Sequence, residues 1–391
     1  MRVIMLSTDR NIFISDSPMA KRMISYGKVF GELHVIVFSL EKQGYVPIKL
    51  SPEVFVYPTA SSNKLMYISD TLRIADAIAK TLYFGQTVIS TQDPFEKGIV
   101  GLLLRWKTGF PLQMQIHTDL FAKEFYDGQI LNWFRFQIAK YTLKKANGIR
   151  VVREKIKNDL VRRLFIKPGK IVTLPIFVDI EEIRRKEVVA SVKERYPEFS
   201  HHIIMISRLS KEKNISLGLK AFATVLETIP GAGLIIVGSG PEEKKLKQLA
   251  KTLRIIDKVR FEGWQGDVSS YYKTADVFVS TSDFEGYGLT LVEAASVRCP
   301  IVTTPVGIAQ DVLRDGTSVL VCRDRSPSCF ARAIIKVSLV QIKPVYSVTT
   351  IDPIGICENW RAGKEGNFFI FEGLGKGDAR PITLENPPKL F

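Results

Sequence analysis

Short runs of β-branched and aliphatic residues return along this chain with longer amphipathic stretches between them, and that alternation limits the fold more than any other feature. The runs are "RVIML" from residue 2, "HVIVFS" from 34, "EVFVYP" from 53, "TVIST" from 87, "LQMQIH" from 112, "IRVV" from 149 and "IVTLP" from 171. Strands alternating with helices build a parallel sheet covered on both faces. A polar, charge-rich passage, "LPIFVDIEEIRRKEVVASVKERYPEFS", then interrupts the pattern, which starts again with "IIMIS", "GLIIVG", "VRFEG", "VFVST" and "PIVTT". The expected fold class is therefore α/β, with two Rossmann-like doubly wound domains whose carboxyl strand ends face a shared cleft. Residues 1–178 and 179–332 are the expected domains. From residue 333 the pattern degrades into a glycine- and proline-rich segment, read as an atypical, poorly ordered tail to residue 391.

The 391 residues are 46% hydrophobic with both signs of charge dispersed, which suffices for two cores of ordinary size. No uninterrupted apolar stretch approaches the roughly 18 to 20 residues of a membrane span. The opening "MRVIMLSTDR" lacks the basic-then-apolar layout of a secretory leader, so the expected location is cytoplasmic. Cys299, Cys322, Cys329 and Cys357 match neither a CxxC metal pair nor a dense disulfide framework, and read as reduced thiols. The formal charge of +15 is unevenly placed: residues 1–170 hold 26 Lys and Arg against 14 Asp and Glu, the rest 29 against 26. Such a bias suits an anionic partner for the first half, whether a membrane surface, a polyanion or a phosphorylated small molecule, and equally suits solvated basic faces.

Ligands of parallel α/β sheets bind beyond the carboxyl ends of the strands, so polar residues directly after strands are the candidates. In "ISRLSKEKNISLGLKAF", Arg208 follows a strand and Lys213 precedes a helix that Asn214 or Ser216 can cap. A forked guanidinium and a mobile ammonium on one loop suit a diphosphate. In "VGSGPEE", Gly238 and Gly240 follow a strand and Pro241 marks a helix start. These glycines either admit a ligand to the backbone or form a plain strand-to-helix turn; the GxGxxG spacing of a dinucleotide loop is absent. In "TSDFEGYGLTLVEA", Gly286 and Gly288 break the chain before a helix whose amino end attracts anions. Glu285 and Glu293 flank that anion site, where carboxylates are suited to accept hydrogen bonds from sugar hydroxyls. Alternatively Glu285 is simply exposed and Glu293 favours an early helical turn.

Together "SDFEGYGLTLVEAAS", "SRLSKEKN", "VGSGPEEKKLKQLA", "VRFEGWQGDVSSYYKTADVFVSTS" and "PIVTTPVGIAQDVLRDGTSVLV" resemble the glycosyl transferases group 1 family, retaining enzymes of the two-domain GT-B type. The likeness covers residues 200–322 in order and spacing. It is more diffuse in the first domain, through "QIHTDLF", "IRVVREKIKNDL" and "IVTLPIFVDI". The resemblance implies a nucleoside-diphosphate sugar as donor. Arg208 and Lys213 would hold the diphosphate, Glu285 the sugar hydroxyls and Glu293 the ribose. The backbone of Gly286, Tyr287, Gly288 and Leu289 would meet the distal phosphate, Gly238 and Gly240 would border the donor, and Gly263, Trp264 and Gln265 would meet the base. His117 would lie near the anomeric carbon. It further implies front-face attack with the departing phosphate assisting the acceptor, and no metal or other cofactor, since no DxD pair stands ready to hold one.

Two departures accompany the likeness. The glycine-rich loop usual after the first strand is replaced by "STDRNIFISDSPMAKRM", which leaves Ser7, Asp9, Arg10 and Ser17 as candidates for acceptor or phosphate contact. The tail also lacks the closing helices of the family. On the acceptor side, residues 121–163 interleave Phe121, Phe125, Trp133, Phe134, Phe136 and Tyr141 with a series of Lys and Arg, as in a surface that leans on anionic lipid. A helix packed on its own sheet explains the same pattern. The expected function is transfer of sugar to a lipid-linked or saccharide acceptor. The rivals are a nucleotide-sugar epimerase of the same fold and a non-catalytic basic binding protein; no nucleic-acid motif appears, so nucleic acid is not an expected partner.

Overall fold

The computed structural model describes residues 1–82, 86–126, 130–176, 178–309 and 319–339. The chain divides into two compact units, the first running from Met1 to Pro175 and the second starting at Ile176. Every apolar run singled out above forms a strand. In the first unit these are β1 (Arg2–Ser7), β2 (Glu32–Val37), β3 (Ile48–Ser51), β4 (Val54–Pro58), β5 (Thr87–Thr91), β6 (Leu112–Ile116), β7 (Gly148–Val151) and β8 (Ile171–Thr173). The sheet order is β3-β4-β2-β1-β5-β6-β7-β8, parallel throughout except that β3 runs antiparallel along β4. The apolar patterning gave no sign of β3, whose "IKLS" is too short and half-exposed to stand out. Val3, Leu33, Val35, Val54 and Val56 pack beneath the helix Pro18–Phe30, which Ser17 caps by accepting from Ala20 N.

The second unit contains β9 (His201–Ile206), β10 (Ala232–Val237), β11 (Val259–Gly263), β12 (Val277–Ser280), β13 (Ile301–Thr303) and β14 (Val319–Val321). They are all parallel, in the order β11-β10-β9-β12-β13-β14. This is the doubly wound order of two mononucleotide-binding halves, and it reverses between β9 and β12. Apolar cores lie on both faces of the sheet. One face carries the helix Ile215–Thr228 with Phe222 and Phe330, the other Tyr271, Tyr272 and Leu291. The last described helix, Pro327–Leu339, extends past residue 333, so the regular structure does not stop where the repeating apolar pattern degrades. Its buried Phe330, Ile334 and Val337 fit helical spacing. The remainder of the segment read as a tail lies outside the described residues.

Candidate functional site

In an open parallel sheet, the loops on either side of a strand-order reversal diverge to opposite faces and leave a crevice between them. In the second unit those loops follow β9 and β12, and they contain most of the residues singled out from the sequence. After β9 the chain passes Ser207 and Arg208 and makes a short turn, Lys211–Lys213, ending on Asn214 in the left-handed region. After β12 it runs from Thr281 to Gly288 and enters the helix Leu289–Ser296.

Side chains tie the two loops together across the reversal. Lys213 Nζ donates to Glu285 Oε1 at 2.5 Å, and Ser282 Oγ donates to the same oxygen at 2.9 Å. Asn214 Nδ2 donates to Asp283 Oδ1 at 3.1 Å, and Thr281 Oγ1 donates to the carbonyls of Lys213 and Asn214. Asn214 and Ser216 therefore do not cap the following helix as the sequence suggested. Asn214 reaches across to β12's loop and Ser216 Oγ donates to Asn214 Oδ1 instead. Lys213, Glu285, Ser282 and Thr290 line a small hollow of about 10 Å³, the room of a single water.

Arg208 stands apart from this pair. Its side chain is 69% exposed and its Nη2 donates to Glu212 Oε1 at 2.6 Å, with Ser210 Oγ donating to the same carboxylate. Glu212 was not singled out, although its i,i+4 spacing from Arg208 is the signal that could have found it. Ser210 and Arg208 outweigh the effect of burial and hold the Glu212 carboxyl below its ordinary range.

The glycines of "VGSG" serve a close approach of backbone to backbone. Gly238 has φ of 129°, and a Cβ there would lie 1.9 Å from Ser207 O. A Cβ on Gly240 would lie 2.3 Å from Leu209 O. Leu209 N donates to Ser239 O and Gly238 N to Gly263 O, so the loops after β9, β10 and β11 are locked to one another. The helix beyond "VGSG" starts at Glu243, two residues after Pro241. Gly263 itself is at φ of 68°, Trp264 is 76% exposed, and Gln265 is held by its amide donating to Glu262 O at 2.9 Å.

In the turn before the helix Leu289–Ser296, Gly288 is the residue in the left-handed region, with φ of 94°; Gly286 is not. Gly288 occupies the N-cap position and contributes no side-chain cap, which leaves the first-turn N–H groups of Leu289 and Thr290 to other acceptors. Tyr287 O accepts from Ile308 N at 2.8 Å, which fixes the turn from below. Glu293, within this helix, accepts from Tyr272 Oη at 3.2 Å. Tyr272 is buried and its hydroxyl is pushed well above its ordinary pKa, first by desolvation and then by Glu293. Nothing in the spacing points to this partner, because Tyr272 reads as an ordinary core residue.

In the first unit the order reverses between β1 and β5. Ser7 is fully buried and donates to Gln92 Oε1 at 2.7 Å across that reversal. Asp9 accepts from Asn11 N, and Ser17 caps the helix Pro18–Phe30, while Arg10 is exposed. Three of the four residues put forward for acceptor contact are thus engaged in holding the loop's own shape. His117 follows β6 and is half-buried. Desolvation, then the charges of Arg150, Arg22 and Lys97, lower its pKa to about 3, so the ring is neutral near pH 7. The loop behind it is fixed by Asp119, which accepts from Phe121 N at 3.0 Å and from Lys155 Nζ at 2.5 Å.

This geometry meets two independent family patterns. Residues 190–345 match the model for glycosyl transferases group 1, and residues 31–182 match that for glycosyltransferase family 4. Together the two matches span most of the chain, consistent with a group 1 glycosyltransferase of the GT-B type. Among curated relatives, the alpha-monoglucosyldiacylglycerol synthase of Streptococcus pneumoniae is 28% identical over 229 residues, 55% of this chain and 51% of that one. The poly(glycerol-phosphate) alpha-glucosyltransferase of Bacillus subtilis is 34% identical over 140 residues, 36% of this chain and 21% of that one. The chain thus spans about half the length, or less, of these relatives. Among solved structures, Anabaena HepE in complex with UDP and glucose superposes with a TM-score of 0.69 at 17% identity, covering 87% of this chain and 90% of that one. That likeness is one of fold, the two-unit α/β architecture of GT-B proteins. Among the described residues, no three His, Cys, Asp or Glu side chains gather as a metal site, and no helix is long and apolar enough to cross a membrane.

Proposed function

We propose that the protein is a retaining glycosyltransferase that moves a sugar from a nucleoside-diphosphate sugar to a lipid-linked or saccharide acceptor. The observation that carries this reading is the Lys213–Glu285 pair at the strand reversal of the second unit, next to a helix amino end that no side chain caps. An ammonium, a carboxylate and free amide donors in one crevice match a ligand with both hydroxyls and phosphate. The two family matches and the UDP held by HepE are in keeping with it.

In this reading Lys213 and Arg208 neutralise charge developing on the leaving diphosphate, aided by the N–H groups from Gly286 to Leu289. Arg208 must swing from Glu212 to do so, which its exposure permits. Glu285 accepts from donor-sugar hydroxyls and Glu293 from the ribose, while Tyr272 holds the Glu293 carboxylate in place. Gly238 and Gly240 shape the loops, and the segment Gly263–Gln265 receives the base. His117, neutral and therefore able to donate one hydrogen bond and accept another, works on the acceptor side in the first unit. No metal is assigned a part in the reaction.

The first unit also presents a surface suited to anionic lipid. Ile130, Leu131, Trp133, Phe134 and Tyr141 on the helix Ile130–Lys145 are each more than half exposed, with Lys144 and Lys145 at its end. The other aromatics of that stretch turn inward: Phe125 stacks on Phe95 and Phe121 meets Phe136 edge-on. Relatives named for diacylglycerol products support a membrane-bound acceptor.

The test is a binding screen of UDP-, GDP- and ADP-sugars against the parent, Glu285→Ala and Arg208→Ala, followed by an assay for nucleoside diphosphate release. We expect one nucleotide to bind, both substitutions to weaken it at least tenfold, and release to require an acceptor. A confirmed ligand that neither substitution weakens would place the site elsewhere, and release without any acceptor would favour an epimerase or hydrolase.

A further inference from the structure

The carboxyl ends of the first unit's strands contain buried positive charge that the donor chemistry does not use. Lys97 and Arg150 are each only 5% exposed. Arg150 donates to three neutral acceptors: Gln115 Oε1 at 3.1 Å, Leu174 O at 3.2 Å and Pro175 O at 2.8 Å. Lys97 spans the reversal between β1 and β5, donating to Thr8 Oγ1 at 3.3 Å on one side and pairing with Asp93 on the other. Arg22, on the helix Pro18–Phe30, is half-buried and has no hydrogen bond or ion pair among the described residues. All three cations are close enough to act on the imidazole of His117, which follows Gln115 by two residues.

A guanidinium cannot shed its proton to escape burial, so Arg150 keeps a full charge that dipoles stabilise only in part. Among the described residues, Asp93 is the one carboxylate bonded to any member of the set, which leaves a positive field at the strand ends. A field of that sign, built from forked and point donors beside a neutral histidine, is complementary to an oxyanion. The donor's diphosphate already has its own cations, Arg208 and Lys213, in the second unit.

Building on the glycosyltransferase reading, we propose that Arg22, Lys97 and Arg150 form an oxyanion subsite for the acceptor, which therefore bears a phosphate or phosphodiester next to the hydroxyl that receives the sugar. The subsite lies wholly within the first unit. It orients the acceptor so that its hydroxyl meets His117, and an uncharged analogue of the same acceptor is a poor substrate.

The experiment follows the His117 imidazole by NMR in the full-length chain, whose 4 histidines make assignment by His117→Gln direct. Inorganic phosphate and sn-glycerol 3-phosphate are the probes, glycerol is the neutral control, and a mixture of UDP, GDP and ADP is added to fill the donor site. Both phosphates should shift the His117 signal and raise its apparent pKa, glycerol should not, and the response should survive the nucleotides. Arg22→Ala, which removes no side-chain hydrogen bond or ion pair among the described residues, should weaken the probes about tenfold, and Arg150→Lys should weaken them while the chain stays folded. Loss of the response on adding nucleotide would assign the cations to the donor and overturn the proposal. So would phosphates that leave His117 unmoved, or that bind Arg22→Ala as tightly as the parent. Nucleotide affinity from the same titration judges the glycosyltransferase reading separately: nucleotide binding without a phosphate response sinks the subsite alone.

Discussion

Both units reverse their strand order once, between β1 and β5 in the first and between β9 and β12 in the second, yet they populate the reversal with opposite charge logic. In the second unit Lys213 meets Glu285 and Asn214 meets Asp283 across the gap, while Arg208 meets Glu212 within its own loop. In the first unit Lys97 meets Asp93, but among the described residues Arg150 finds only neutral acceptors and Arg22 none. Topology alone therefore places a crevice, and the side chains decide what it can receive. A neutralised, pre-formed pair suits hydroxyls and a phosphate that exchange places with existing partners, whereas surplus positive charge waits for an anion from outside.

The largest loss is expected where the second unit's loops are unlocked from one another. Gly238→Ala would force an L residue to φ of 129° and set its Cβ 1.9 Å from Ser207 O. We expect a loss of about 3 kcal/mol or more, from combined backbone strain and overpacking. Urea unfolding should show the second unit melting early while the first, which shares none of these contacts, keeps its midpoint. Unchanged unfolding of both units would mean that the loops after β9 and β10 can separate without consequence.

A smaller effect sharpens the contrast between paired and surplus charge. Glu285→Ala leaves the ammonium of Lys213, only 19% exposed, without its carboxylate, at a cost of about 1–3 kcal/mol. Combining Lys213→Met with Glu285→Leu should restore most of that stability and none of the nucleotide-sugar binding, because the apolar pair fills the space without serving phosphate or hydroxyl. A double-mutant cycle on unfolding and on affinity separates the two readouts. In the first unit, by contrast, Arg22→Ala should leave stability unchanged within about 0.5 kcal/mol. If it destabilises as Glu285→Ala does, Arg22 is structural and the two reversals differ less than the bonding suggests.

The strands of both sheets were legible because parallel strands are buried on both faces, so apolar runs such as "RVIML" and "GLIIVG" stand out without alternation. Strands β3 and β14 were not, being short and only partly buried. The loops bearing Arg208, Lys213, Glu285 and Gly288 were legible through local spacing. Their partners were less so: only its i,i+4 spacing from Arg208 marks Glu212, and Asp283 and Tyr272 acquire meaning only from contacts that a one-dimensional pattern cannot show. Ser7, Asp9 and Ser17 illustrate the converse: polar residues after a strand attract a ligand reading, yet here they hold their own loop. The cations around His117 lie on a helix after β1, a helix after β5 and on β7 itself, far apart in sequence, and only the sheet order brings them to one edge.

The smallest effect on folding is expected at the exposed aromatics of the first unit, and it tests whether that unit's positive bias extends from a pocket to a surface. Trp133 and Phe134 are 52% and 53% exposed and meet each other edge-on at 5.0 Å. Because they bury little on the rest of the protein, Trp133→Ser with Phe134→Ser should change stability by no more than about 0.5 kcal/mol. Removing two large apolar side chains from an interfacial helix should nonetheless abolish most sedimentation with vesicles containing anionic lipid. Binding by the parent should fall as salt rises, because Lys144 and Lys145 contribute through a screened surface potential. If the parent fails to sediment even at low salt, these aromatics do not meet lipid, and the basic character of the first unit belongs to its strand ends alone.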